Sequence, residues 1–207
     1  MILITTYYKP NNEERLNELN QCLINNFNNN FIKKIYLLND KIYDLSFINY
    51  CENKITQIIV NEENNDRLGY DYAIDFINNN LEGNICILCN SDIFFDDSLE
   101  KLVDYNFDNK MLALARYNNN ILFNKIDSQD SWIFKSKAKI DLSLCKFKFG
   151  KPCCDNRIAC IFKDHGYNVI NPSLTIKSHH LHNSNFRTYD KKDKVTGDYF
   201  FIKPSIL

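Results

Sequence analysis

The sequence predicts a single α/β domain built on a mostly parallel central sheet flanked by helices, and three observations carry that expectation. The 207 residues suit one domain and leave little room for a second independent core. Through the first half, apolar runs of strand length alternate with stretches of helical periodicity. Those runs are almost continuously apolar, as strands covered on both faces are.

Taken in order, residues 2–8 open the chain as a buried strand. Pro10, Asn11 and Asn12 then start a helix carrying Leu16, Leu19, Leu23 and Phe27 on one stripe. Residues 35–38 form a second strand ending at Asn39-Asp40, and residues 55–60 a third. A helix with Leu68, Tyr72, Ile74 and Ile77 leads into a fourth strand, residues 85–89. Asp96, Asp97 and Ser98 are placed to cap a helix over 98–105. Residues 111–116, 121–123 and 128–134 read as further strands. Gly150 and its neighbours introduce a helix with Ile158, Cys160, Ile161 and Phe162 as apolar positions, closed by His165-Gly166. A strand over 174–176 precedes a histidine-rich segment, and residues 188–207 form a polar tail or lid. The asparagine runs at 28–30, 78–80 and 118–120 fall where elements end and read as turn punctuation.

Composition narrows the function. Hydrophobic residues make up 44% of the chain and aromatics 14%, enough for a real core. With 25 basic and 26 acidic residues, no electrostatic field gathers nucleic acid without specificity, so no nucleic-acid partner is expected. Residues 1–6 lack a basic leader and a long apolar segment, and no apolar run approaches the roughly 20 residues needed to cross a bilayer. The expectation is a soluble, cytoplasmic protein whose eight cysteines are free thiols. A zinc site is disfavoured, because Cys86 and Cys89 lie within one strand and face opposite sides of the sheet.

In open α/β sheets ligands sit beyond the carboxyl ends of the strands. The fourth strand ends at Asn90-Ser91-Asp92, where an amide and a carboxylate two residues apart can hold a hard divalent cation beside a diphosphate. Helix capping is the competing explanation for Ser91 and Asp92, but Asp96 to Ser98 are better placed for that task. Asp130 precedes an apolar strand containing Trp132; the pair suits either sugar binding or, respectively, a turn and the core. Asp155 stands at the start of the helix after Gly150, either as a proton acceptor or as its N-cap. Three of the four histidines lie at 179, 180 and 182, and strand periodicity places His180 and His182 on one face.

The run from Arg67 through Ala73, Gly83 and Ile87 to Asn90-Ser91-Asp92 resembles the family 2-like GT-A glycosyltransferases over most of the chain. Their metal motif is Asp-x-Asp, and here Asn90 takes the first position, which makes Asp92 the expected ligand of Mn²⁺ or Mg²⁺ and Asn90 a weaker ligand or ribose contact. The resemblance implies a GT-A-like, Rossmann-like domain over 1–187, with a nucleotide-binding half near 1–92 and an acceptor half near 93–187. It implies transfer from a nucleotide-sugar, UDP-linked by default, to a glycan, lipid or protein. Thr5, Thr6, Tyr7 and Asp40 would meet base and ribose, with Ser91 beside Asn90 at the nucleotide. Arg67 and Arg187 would approach the diphosphate. Asp155 would be the base of an inverting transferase, with Cys154 replacing the acidic neighbour of the family's Glu-Asp motif. Asp130 is the second candidate, Trp132 a candidate acceptor platform, and His180 or His182 a further metal ligand. Two other classes stay open: a transferase-like fold that binds without turnover, and a sugar-nucleotide nucleotidyltransferase, which the scarcity of glycine (five in all) disfavours.

Overall fold

The structure, a computed structural model, describes residues 1–48, 53–60, 67–182 and 190–207. Four parallel strands form the first half of the main sheet: β1 (Ile2–Thr5), β2 (Lys34–Asn39), β3 (Ile55–Ile59) and β4 (Ile85–Cys89). Between them run helices α1 (Glu13–Asn28) and α2 (Tyr70–Asn80). Next come β5 (Ile93–Phe95), a 3₁₀ helix (Asp97–Leu102), β6 (Lys110–Leu114), β7 (Arg116–Asn118), β8 (Ile121–Leu122) and β9 (Ser131–Lys135). A second 3₁₀ helix (Leu142–Cys145), α3 (Cys154–Asp164), β10 (Asn168–Ile170), β11 (Ser178–His180) and a last 3₁₀ turn (Lys191–Asp193) complete the described elements. The seven-stranded sheet has the order β10-β6-β9-β4-β1-β2-β3, and only β9 runs against its neighbours.

Each strand divides its side chains between two cores, as a period of two requires. Ile4, Cys86, Leu88, Met111, Ala113, Trp132 and Phe134 face α2 and α3, where Ala73, Ile74, Ile77, Ile158 and Phe162 meet them. Leu3, Ile35, Leu37, Ile87, Cys89, Leu112, Leu114 and Ile133 face the other way, against Leu19 and Leu23 of α1 and Leu99 and Leu102 of the first 3₁₀ helix. Cys86 and Cys89 thus sit on opposite faces, and the seven cysteines among the described residues are free thiols.

A smaller sheet, ordered β5-β11-β7-β8, stands beside the main one. Its central strand β11 pairs antiparallel with β5 and parallel with β7. β7 turns into β8 through Asn119 and Asn120, both with positive φ (48° and 64°). Asn tolerates that geometry, which is why a two-residue hairpin forms there.

Several elements depart from the sequence expectation. The 98–105 helix is a 3₁₀ helix, capped by Asp96, whose side chain accepts from Ser98 N–H. The strand expected at 174–176 instead lies at Ser178–His180, because Pro172 and Ser173 lead into a turn in which Thr175 and Ile176 N–H donate to the Pro172 carbonyl. β10 was not anticipated: three residues at a sheet edge carry too little periodicity to be seen. Asp155 is not the N-cap of α3; that place belongs to Cys153, at φ 67° and without a side-chain cap bond.

No helix among the described residues is long and apolar enough to cross a membrane. The described tail, residues 190–207, is laced to the domain: Val195, Phe200 and Ile202 N–H donate to the carbonyls of Pro152, Asn156 and Ile126. Ile202 is 7% exposed within the core that α3 covers. Replacing Ile202 with Ala should therefore lower the unfolding free energy by about 2–4 kcal/mol in urea titration, whereas a tail that merely lies on the surface would show almost no loss.

Candidate active site

Because β1, β2, β4 and β6 are parallel, their carboxyl ends share one edge of the sheet. β9 runs the other way and brings the residues that precede it, Gln129 and Asp130, to the same edge. Asn90 N–H donates to the Asp130 carbonyl (3.1 Å) and Asp130 N–H to the Leu114 carbonyl (3.0 Å). The turn after β4 is thereby pinned next to the entry of β9.

At this edge Asp92 meets both histidines singled out in the sequence. Its Oδ2 lies 3.3 Å from His180 Nε2 and 3.6 Å from His182 Nδ1, and one ligand atom from each of the three residues falls within 4.8 Å of the others. Strand register explains the meeting. Asp92 immediately precedes β5, His180 pairs with Ile93 of β5 and with Asn118 of β7, and Leu181 N–H donates to the Asp92 carbonyl (3.0 Å). His180 Nδ1 lies 3.0 Å from Asn118 Oδ1, which turns its Nε2 toward Asp92. An orienting bond on the far ring nitrogen is the usual support of a metal-ligating histidine. One carboxylate and two imidazoles form a ligand set able to hold a divalent metal ion.

Asp92 also meets a residue that the sequence reading passed over. Arg15, in the first turn of α1, reaches Asp92 Oδ2 with Nη2 at 2.5 Å, while its Nη1 donates to Glu18 (2.9 Å) and to the Leu181 carbonyl (3.1 Å). Burial by itself would raise the Asp92 carboxyl, but the two imidazoles and Arg15 outweigh it and hold the group well below the usual carboxylate range.

The second cluster contains Asp130 and Asp155. Both Asp130 oxygens are taken, Oδ1 by Asn90 Nδ2 (3.0 Å) and Oδ2 by Arg116 Nη1 (2.9 Å), and Arg116 is itself held over the Phe123 ring. Among the described residues, Asp155 accepts one bond from outside its own helix, from Gln129 N–H (3.1 Å). Burial pushes the Asp155 carboxyl up to about 7, and the neighbouring charge of Asp130 adds to the push against that hydrogen bond. The two carboxyl groups thus differ in kind: one accepts from two side-chain donors, the other is a weak acid poised near neutrality.

The remaining expected residues are spread along the same edge. Thr5 is buried, its hydroxyl donating to the Cys89 carbonyl (2.9 Å). Thr6 and Ser91 are half-buried. Tyr7 turns into the α1 core, its hydroxyl bonded to Asn20 and its ring against Tyr43 and Phe47. Asp40 is exposed and accepts from the Tyr43 hydroxyl (2.8 Å). Arg67 is half-buried and donates to the Phe149 carbonyl (3.2 Å), so close to Gly150 that a Cβ there would collide with its guanidinium. Arg187 lies outside the described residues.

One expectation is corrected. Trp132 is 1% exposed and packs edge-on against Tyr70 in the core, so its ring presents no face to an acceptor. Asn90 donates its amide Nδ2–H to Asp130. The missed residues had faint signals. Arg15 is a cation in the first turn of a helix, where the dipole disfavours one, and Asn118 was hidden in a run that reads as a turn. A nucleophilic Cys154 is unsupported, since burial pushes its thiol up to about 12.

This edge, with its mostly parallel sheet and satellite sheet, is a GT-A-like glycosyltransferase fold. The chain resembles the mannosyltransferase PcManGT from Pyrobaculum calidifontis, solved with GDP-Man and Mn²⁺ (TM-score 0.53, 14% identity, 83% of this chain and 53% of that one). It also resembles S. aureus TarS 1-349 in complex with UDP-GlcNAc (TM-score 0.56, 12% identity, 88% of this chain and 59% of that one). This chain therefore spans little more than half the length of either. No protein-family model matches the sequence, and no curated protein is significantly similar to it.

The raised Asp155 carboxyl has a thermodynamic signature. A group whose folded pKa, about 7, exceeds its unfolded value binds more protons when folded, so stability falls as pH rises from about 4 to 7 and the deficit is complete above 7. Asp155→Asn, which keeps an acceptor for Gln129, should stabilise the protein by about 1–3 kcal/mol at pH 8 and by little at pH 4. Equal effects at both pH values in denaturant titrations would contradict the assignment.

Proposed function

We propose that the protein is a metal-dependent glycosyltransferase that moves a sugar from a nucleotide-diphosphate sugar, UDP-linked by default, to a glycan, lipid or protein acceptor with inversion at the anomeric carbon. The observation that carries this reading is the convergence of Asp92, His180 and His182 at the carboxyl edge of a GT-A-like sheet. Those three side chains would hold Mn²⁺, or less readily Mg²⁺. A divalent ion there supplies the positive charge that stabilises a departing nucleoside diphosphate.

The chain's own residues do the rest. Thr6, Asn39-Asp40 and Ser91 would receive base and ribose at the strand ends, and Arg67, which donates to Phe149 close to Gly150, would approach the diphosphate. Asp155 accepts the proton of the attacking hydroxyl, a role its carboxyl suits because it is half deprotonated near pH 7. Asp130 is held beside it by hydrogen bonds from Asn90 and Arg116.

The engagement of Asn90 with Asp130 also favours a second reading, a fold of this kind that binds a nucleotide or glycan without turnover. Slow Mn²⁺-stimulated hydrolysis of a nucleotide-sugar separates the two, since a binding module releases no sugar.

Thermal shift with UDP, GDP, CMP and dTDP, each with and without Mn²⁺, tests the donor site. One nucleotide at about 100 times its Kd should add roughly 2.7 kcal/mol of stability with Mn²⁺ present, and Asp92→Ala should abolish the gain. Absence of stabilisation by every nucleotide would remove the transferase reading. Where transfer is measurable, its rate should rise with pH through about 7, and Asp155→Asn should cost about 10²–10⁴-fold in kcat; a flat profile in the wild type would disqualify Asp155 as the base.

A further inference from the structure

Arg15 stands against every local preference. It lies on the buried stripe of α1, beside Leu19, Cys22, Leu23, Asn26 and a single carboxylate, Glu18, and is 5% exposed. It occupies the first turn, with its own N–H taken by the Asn12 cap, where the positive end of the helix dipole repels a cation. A charge buried at such a cost is compensated by partners, and Arg15 has two carboxylates: Asp92 at 2.5 Å and Glu18 at 2.9 Å. Local rules are broken in this way chiefly where function demands it.

The oxygen that Arg15 binds is the telling one. Asp92 Oδ2 is the same atom that faces His180 Nε2 and His182 Nδ1. A cation shared by the three ligands must approach an oxygen that already carries a guanidinium. The formal charges of Arg15, Glu18 and Asp92 sum to −1, so the pocket attracts a divalent ion weakly, and the ion would lie within a few ångströms of a fixed like charge.

We propose that Arg15 is the resident counter-cation of this site: it holds Asp92 in place, and by repulsion keeps the affinity for a bare divalent ion low. Its second contact, from Nη1 to the Leu181 carbonyl, anchors the segment that carries His180 and His182, so the residue that restrains the ion also positions its ligands. Glu18 tunes the restraint by drawing part of the guanidinium's charge away from Asp92. An anionic diphosphate arriving with the ion would offset the repulsion, which makes filling of the site conditional on a charged donor. This inference rests on the metal reading above.

The test is titration with Mn²⁺ alone, with free ion followed by its electron paramagnetic resonance signal, on the full chain and on two isosteric variants. Arg15→Met keeps the aliphatic stem and removes the charge; it should bind Mn²⁺ at least about tenfold more tightly than wild type. Glu18→Gln leaves Arg15 unshared and should bind it more weakly. A role confined to holding the fold predicts loosened ligands and weaker binding in Arg15→Met, so unchanged or weaker binding by a cooperatively melting Arg15→Met overturns the proposal. If Arg15→Met does not fold, Glu18→Gln decides: weaker binding supports the proposal, and unchanged or tighter binding overturns it. Nucleotide stabilisation that depends on Mn²⁺ and on Asp92 shows separately that the metal reading stands. If that dependence is absent and Mn²⁺ binds no form of the protein, both fall together.

Discussion

A strand that runs against its neighbours delivers its beginning to the edge where they deliver their ends. β9 is that strand, hydrogen-bonded between β4 and β6. Without the reversal, the carboxyl edge would hold only the turns that leave β1, β2, β4 and β6. With it, Asp130 enters beside Asn90, Gln129 offers its N–H to Asp155, and the first turn of α3 is drawn to the cleft. The cluster of Asp92, His180 and His182 needs a second arrangement, in which β11 lies between β5 and β7 and faces His180 with Asn118 on one side and the Asp92 segment on the other.

The main sheet was legible because it obeys simple rules. Continuous apolar strands such as Ile85–Cys89 have few alternatives, and the opposed facing of Cys86 and Cys89 follows from a period of two. Asp92, His180 and His182 were legible for a different reason: the chemistry of their side chains is unusual after a strand, whatever the backbone does. The strand carrying the histidines was misplaced by several residues, yet their meeting with Asp92 is present, since the register of β11 against β5 sets it.

What stayed hidden was partnership. Nothing local distinguishes Asn118 from the Asn119 and Asn120 that follow, but one supports His180 while the others shape a turn. Asn26 is a similar case, its amide donating to the Ile93 carbonyl and accepting from Phe95 N–H, so that a helix side chain stands in for a strand along β5. Trp132 was ambiguous because an aromatic ring suits a core and a sugar equally, and only the packing of Tyr70 and Phe149 decides between them. Asn90, read as a departure from a metal motif, also has a partner the sequence does not show, since its amide Nδ2–H donates to a carboxylate forty residues away.

The placement of β11 also sets an order of assembly. β5 and β7 are made early, but the strand that joins them, Ser178–His180, lies more than eighty residues beyond β5. A chain emerging from the ribosome can close much of its helix-covered sheet while β5 and β7 still lack their common neighbour, because contacts so distant in sequence form late. The cluster of Asp92, His180 and His182 is thus completed only after β11 has been made, and a chain stopped short of it holds Asp92 without its two histidine neighbours.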